Sequence, residues 1–572
     1  MYNSEYRKQR RIIIEGDDSM IRKRSLSVVI VLAVLTLVIS ACGGNAANNN
    51  AANSSKGSDV TNTGNANGGN AATDTSTDAS QPKDGGNLIV AVAADPDVLN
   101  PIYAGDRVSL TIDQALYAPL FQINNGKKTY YLADSLTASA DNLTYTLKLK
   151  SGLTWHDGQP LTADDVVFTF DKILDKNQNS FFRDYLVFGD KQVQVTKVDD
   201  LTVEFKLPQV NPAFEATLVQ LTPIPKHIFE NEADIQKSTK NAAPVGSGPF
   251  KFKEYKTGEY VTLERFDNYF EGKPHLDSIT YRIAKDTNAA NLALQNGEIN
   301  VKYLDPQDVS TIEGTGKFDI LPYAEGRLSY LAFNENSDIN VLKKKEVRQA
   351  ISYALNREEV IQAAYASADY ADQAHSVLTP DTLYHTNDVT TYDNDVAKAK
   401  ELLQQAGVSN LKLRFIVTSG NKVQEAVSLY VQQKLKDIGI DVQLQSLDAS
   451  AFGAKAYDPK ATDFDLFVGG YIMGPDPDAY SVLFTTNGAY NSFHYGNAEA
   501  DALWKQGSTE ADTTKRGEVY KKIQEIIAGD APIYPIGYTK TIVAFDKQFG
   551  GVDEAVLKPV VIFEDPSKLY LK

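Results

Sequence analysis

The chain carries one cysteine, Cys42, so no disulfide can close within it, and zinc sites built from several thiolates are excluded. Histidine is scarce as well. His156, His227, His275, His375, His385 and His494 stand far apart, so no HExxH or HxH spacing exists and no metal ligand is assigned. Positive charge is in deficit. Lys and Arg total 57 against 74 Asp and Glu, a formal net charge of −17, which reads as a solvated acidic surface and argues against a nucleic-acid binder. Long apolar runs are missing too. The longest, Leu26 to Ile39, is broken by Ser27 and Thr36 and falls short of the roughly 20 residues a spanning helix needs. No Gly-x-Ser-x-Gly elbow and no 20–50-residue repeat is present. Ser-x-x-Lys occurs at Ser409–Lys412 and at Ser419–Lys422. The middle Ser-Asp-Asn of that enzyme class is missing, and Lys256-Thr257-Gly258 precedes the serines instead of following them. Gly314-Thr315-Gly316-Lys317 has Thr311 in place of the first phosphate-loop glycine and Phe318 in place of the magnesium-binding hydroxyl, so it reads as a surface turn. Carboxylate pairs abound without readable distances, which leaves a glycosidase disfavoured. No catalytic residue and no cofactor is assigned.

What is present begins at the N-terminus. Arg22-Lys23-Arg24, the apolar run and Ile39-Ser40-Ala41-Cys42 have the order of a secretory signal peptide, and the last four residues resemble a bacterial lipobox. Residues 1–42 are therefore expected to be a signal peptide with Cys42 as its lipidated residue. Two acyl chains, at about 0.8 kcal/mol per buried CH2, suffice for stable anchoring. Met20 opens a complete signal on its own and is the expected start. Residues 43–82 are mostly Asn, Ala, Gly, Ser, Thr and Asp, too poor in large apolar side chains to fold, and read as a flexible tether.

The remainder of the 572 residues, in a chain 42% apolar, exceeds the ~250–300 at which one core stops growing, so two or more lobes are expected. Gly86 to Val92 opens the folded part as an apolar strand. Leu143, Tyr145, Leu147 and Leu149 alternate with polar residues, as do Val203, Phe205 and Leu207. Thr162 can cap a helix from Ala163, with Leu161 and Val166 at staple positions, and Asn356 with Glu359 starts another. Val427, Val431, Leu435 and Ile438 share a helical face. Gly439 then suits the left-handed stop before a strand at Ile440, Val442 and Leu444. Helices running repeatedly into strands indicate an α/β fold.

The segment Gly152-Leu153-Thr154-Trp155-His156-Asp157-Gly158-Gln159-Pro160-Leu161-Thr162-Ala163-Asp164-Asp165-Val166 resembles the signature of the oligopeptide/dipeptide/nickel-type solute-binding proteins, family 5. Pro244 to Phe250, Asn268 to Pro274, Leu294 to Glu298, Glu346 to Ala350, Ala354 to Arg357 and Gly474 to Asp478 resemble further parts of that family in the same order. The resemblance covers nearly everything after the tether. It implies a discontinuous two-lobe, periplasmic-binding-protein-like α/β fold (type II, class C). Lobe 1 would take 83–124, 243–330 and 532–572, with an extra subdomain at 125–242 inserted in it, and lobe 2 would take 331–531. The hinge is expected near Tyr330 and Ile533-Tyr534-Pro535. Trp155 is read as core.

The same resemblance implies a binding function without catalysis. The expected protein is the extracytoplasmic substrate-binding lipoprotein of an ABC importer. It would be a monomer that captures a peptide ligand and meets permease subunits at the membrane of a Gram-positive-like bacterium. A protein that accepts many peptides must pair with their backbone, and tyrosine-rich walls, here drawn from 30 Tyr, suit the side-chain pockets. The implied ligand contacts are Tyr103, Ala104 and Gly105 on one lobe, Tyr330 at the hinge, and Gly470, Tyr471, Asp476 and Asp478 on the other. One departure stands out. Short-peptide relatives place an aspartate just after the strand edge to meet the ligand amine, whereas here the chain reads Tyr471-Ile472-Met473-Gly474-Pro475. That leaves longer peptides, or a non-peptide ligand such as an oligosaccharide or metal chelate, open; a peptide-signal receptor with the same binding chemistry is a further alternative. Asp476-Pro477-Asp478 could also be a helix-capping turn.

Overall fold

The computed structural model describes residues 82–124 and 126–572; Cys42, the signal segment and all but the last residue of the tether lie outside the described residues. Local signals set the elements. Thr162 Oγ1 accepts from the Asp164 amide at 3.3 Å and the Asp165 carboxylate accepts from the Thr162 amide at 2.9 Å, a reciprocal cap on helix Ala163–Leu174. Asn356 caps Arg357–Tyr365 by accepting from the Glu359 amide at 3.2 Å. Helix Lys422–Lys436 buries Val427, Val431 and Leu435, and Gly439 at φ +80° turns the chain into the next strand.

The frame is one eleven-stranded sheet. In chain order its strands are β1 (Asn87–Val92), β2 (Phe250–Lys256), β3 (Tyr260–Arg265), β4 (Ser278–Ile283), β5 (Val301–Leu304), β6 (Phe318–Phe333), β7 (Ala371–Gln373), β8 (Leu411–Thr418), β9 (Ile440–Leu447), β10 (Leu466–Ile472) and β11 (Ile533–Asp546). They lie in the order β2-β3-β4-β1-β5-β11-β6-β10-β8-β9, with β7 also on β11. A separate four-stranded sheet, Ala133–Ala138, Thr144–Leu149, Thr202–Lys206 and Gln194–Asp199, packs under helix Ala163–Leu174 through Phe170 and Phe205, whose rings are 4.9 Å apart. Trp155 is fully buried in the same core.

The cores divide the sheet. One runs from Leu88 to Tyr323 and returns at Val543 to Leu569. Two others cover opposite faces of the β6-β10-β8 region: Leu331, Phe415 and Val468 on one, Leu328, Ile416 and Phe467 on the other. Burial on both faces explains the unbroken apolar stretches Tyr330–Phe333, Phe415–Val417 and Leu466–Val468 within these strands. Of the described strands only β6 and β11 run through both regions, so the fold is the two-lobed type II α/β architecture. On β6 the hand-over between cores falls between Tyr323 and Leu328, a few residues before Tyr330. Glu325 and Gly326 bulge out of register there, with Gly326 at φ +65°, a conformation glycine adopts freely. A second register shift sits at Ser329/Tyr330, opposite Pro535, which has no amide hydrogen to donate.

Candidate ligand-binding cleft

β10 is fully paired on one side only. β6 follows it from Phe333↔Leu466 to Arg327↔Ile472, whereas β8 meets it only at Phe415↔Leu466 and Ile416↔Phe467. Val468–Ile472 therefore has an edge with no strand on it. Gln424 Nε2 reaches the Val468 carbonyl at 3.4 Å, and the edge beyond is available to an added strand. Two glycines sit there for packing reasons. A Cβ at Gly469 would fall 2.5 Å from the Tyr330 ring. One at Gly470 would fall 3.1 Å from the Leu328 carbonyl and 3.5 Å from Arg327 Nη1. Gly470 is exposed.

The structure brings Tyr330, Gly470 and Tyr471 together, with different tasks. Tyr330 is buried, its ring 5.4 Å from that of Tyr471. The Tyr471 side chain points into the core, its hydroxyl donates to the Val377 carbonyl, and burial pushes its ionisation well up. What Tyr471 offers the edge is its main chain. Asp476 is also spoken for. Its two oxygens accept from Arg516 Nη2 and Nη1 at 2.8 and 2.9 Å, and Oδ1 caps the turn Pro477–Tyr480 by accepting from the Asp478 amide at 2.9 Å. Asp478 meets the Tyr520 hydroxyl at 3.3 Å; burial, then the adjacent Asp476 charge, raises its carboxyl to about 6.

The first-lobe loop is built on Asn100, whose carbonyl accepts from the amides of Tyr103 and Ala104 at 3.0 and 2.9 Å. Both residues are buried, and the Tyr103 hydroxyl donates to Gln178 Oε1 at 3.1 Å, so the loop is fixed by its own side chains. Gly105 is exposed and next to Phe181. Phe181 and Tyr185, from one turn of 3-10 helix, are 45% and 46% exposed, and Tyr490 of the second lobe is 69% exposed. Burial first, and then the neighbouring Tyr490, raise the ionisation of Tyr185. Tyr185 and Tyr490, from the two core regions, are thus neighbours, while Phe181 stands beside Gly105.

The bulge on β6 is pinned by charge. Glu325, wholly buried, accepts from Arg107 Nη1 and Nη2 at 2.8 and 2.9 Å and from the Val560 amide at 2.9 Å. Burial opposes its ionisation, but Arg107 outweighs that and holds the carboxyl below the usual range. Lys422 and Asp308, at 3.3 Å, and Gln307 Nε2 to the Ala364 carbonyl, at 2.9 Å, join the two core regions directly. Sequence reasoning missed Glu325, Arg327, Phe181, Tyr185 and Tyr490. The one available signal was a charged pair, Glu325 and Arg327, in the middle of a largely apolar strand. Among the described residues no group of three or more His, Cys, Asp or Glu is placed to hold a metal, and no helix is long and apolar enough to cross a membrane.

A type II two-lobed fold with an inserted sheet and an open strand edge is that of a solute-binding protein. The chain belongs to the bacterial extracellular solute-binding proteins, family 5: the model for that family (its middle section) matches residues 129–492. It is 32% identical over 554 residues to the oligopeptide-binding protein AppA of Bacillus subtilis, covering 93% of this chain and 96% of that one. The crystal structure of the ABC transporter substrate-binding protein CtaP from Listeria monocytogenes is 54% identical, with a TM-score of 0.83 over 86% of this chain and all of that one. Bacillus subtilis AppA in complex with a nonapeptide superposes with a TM-score of 0.72 at 31% identity, again over 86% of this chain and all of AppA. These relatives are binding proteins, and membership of an extracellular family points to an extracytoplasmic location.

Proposed function

We propose that this protein is the lipid-anchored receptor of an ABC importer, and that it captures peptides by pairing their main chain with β10. The observation that carries the reading is the unpaired Val468–Ile472 edge with Gly470 exposed on it. The Tyr103–Gly105 loop supplies the opposing main chain, and Tyr330 forms part of the floor. Each backbone bond nets only about 0.5–1.5 kcal/mol, so several are needed, and sequence-independent pairing follows. The nonapeptide complex of AppA supports a ligand of that length class. With Asp476 engaged by Arg516, a ligand amine is not fixed there, which suits longer peptides. Tyr471, Asp476 and Asp478 brace the edge from behind.

The two regions that share β6 and β11 act as lobes that close on the peptide, with the segment 125–242 as an appendage of the first. Cys42 carries the lipid, the tether spans to the membrane, and permease subunits receive the cargo. Thermal unfolding with and without synthetic nonapeptide pools tests the ligand class. A ligand of the native state raises the midpoint, by about 2.7 kcal/mol of stabilisation at a hundredfold excess over Kd. A rise with oligosaccharides and none with peptides would overturn the reading.

A further inference from the structure

Arg327 lies on β6 opposite Ile472 of the open edge strand. Its side chain shares a face with Ser329, whose partner on β10 is Gly470. Because Gly470 has no side chain, the guanidinium can lie over the strand itself, with Nη1 3.5 Å from where a Cβ would be. It is half-buried and has no protein partner among the described residues. Every other arginine there donates at least one side-chain hydrogen bond, to a carboxylate or a main-chain carbonyl. The acid close in sequence, Glu325, is unavailable because Arg107 engages both its oxygens. Arg107 adds a second positive charge to the neighbourhood. Tyr365, packed on this face, is buried and neutral, and Asp381, whose carboxylate lies beside Gly326, makes no ion pair with the guanidinium.

A guanidinium kept partly out of water without a counter-ion is costly, and an arriving anion removes that cost. We infer that Arg327 is a specificity residue of the cleft that pairs with a carboxylate on the bound peptide, either its C-terminus or an acidic side chain. This rests on the peptide reading above. The planar fork suits a carboxylate held in two contacts, and the position over Gly470 puts it beside the main chain the peptide would pair with. The strand edge is indifferent to peptide sequence, so one fixed charge supplies register: it sets which peptide residue lies at Gly470.

The test uses the full chain and three synthetic nonapeptide pools in calorimetric titration. One pool has a free C-terminus and no acidic residue. One is C-terminally amidated with a single Glu. One is amidated without acid. The wild type is expected to favour one of the first two over the third by roughly tenfold, the value of one charge-assisted hydrogen bond. Which of the two is favoured identifies the terminus or the side chain as the source. In Arg327→Gln that ratio is expected to collapse towards one, and Arg327→Lys is expected to retain part of it. Equal binding of all three pools by the wild type overturns the inference, with no variant needed. A ratio undiminished in Arg327→Gln overturns it as well. If the wild type binds none of the pools, the peptide reading itself falls and this inference with it.

Discussion

Glycine at 469 is a packing requirement. An added Cβ meets the Tyr330 ring at 2.5 Å, and that ring is wedged against Phe467, Tyr471 and Phe493. Gly469→Ala is expected to cost about 1–3 kcal/mol in urea unfolding. Gly453→Ala, inside helix Ala449–Ala456 with nothing near its Cβ position, is expected to gain up to about 1 kcal/mol. Asp113 gives a prediction in pH. It is buried on helix Arg107–Leu116 with neither carboxyl oxygen hydrogen-bonded among the described residues, and burial, then Asp106, raises its pKa well above 3.8. The folded state keeps the proton while the unfolded chain releases it. Stability therefore falls as pH rises through the unfolded value towards the folded one. Asp113→Asn is expected to be more stable than the wild type in urea at pH 7, with the gap closing below pH 4. At this scale the sequence is a partial guide. Thr162 and Asn356 announce their caps because capping is local. Nothing local says that the Tyr471 ring turns inward, because a strand buried on both faces has no alternation to read. Arg327 is only half legible for a related reason: its charge within the strand can be read, but what distinguishes it is a missing partner.

Among elements, the decisive relation is that β8 stops short of the end of β10 while β6 continues beside it. The segment after β10 folds back and is clamped by Arg516 on helix Thr513–Asp530. Asp476→Asn leaves that buried guanidinium without a counter-charge, and removing one member of such a pair costs about 3–5 kcal/mol. The expected result is a large drop in the urea midpoint, with the folded variant binding nonapeptides as the wild type does. A selective loss of affinity without loss of stability would instead make Asp476 a ligand group. Element identities follow from periodicity and caps. The length mismatch that leaves the edge open does not, because it depends on where β8 and β10 meet, and their paired residues are some fifty positions apart.

For the whole molecule, two long strands carry the connection between lobes, and the bulge at Glu325–Gly326 marks where the core changes hands. Family motifs spread along the sequence pointed to a two-lobed fold. The strand order was beyond them, since Tyr330 pairs with Pro535 across two hundred residues. The exact hand-over was beyond them too, since the bulge is held by Arg107 and Val560 from distant segments. The central claim is that a peptide is gripped by main chain from both lobes at once. Hydrogen–deuterium exchange with and without a bound nonapeptide pool tests it most directly. Amides of Gly469–Ile472 and of the segment around Gly105 should slow together on binding. Bound peptide with exchange at both segments unchanged would contradict the account.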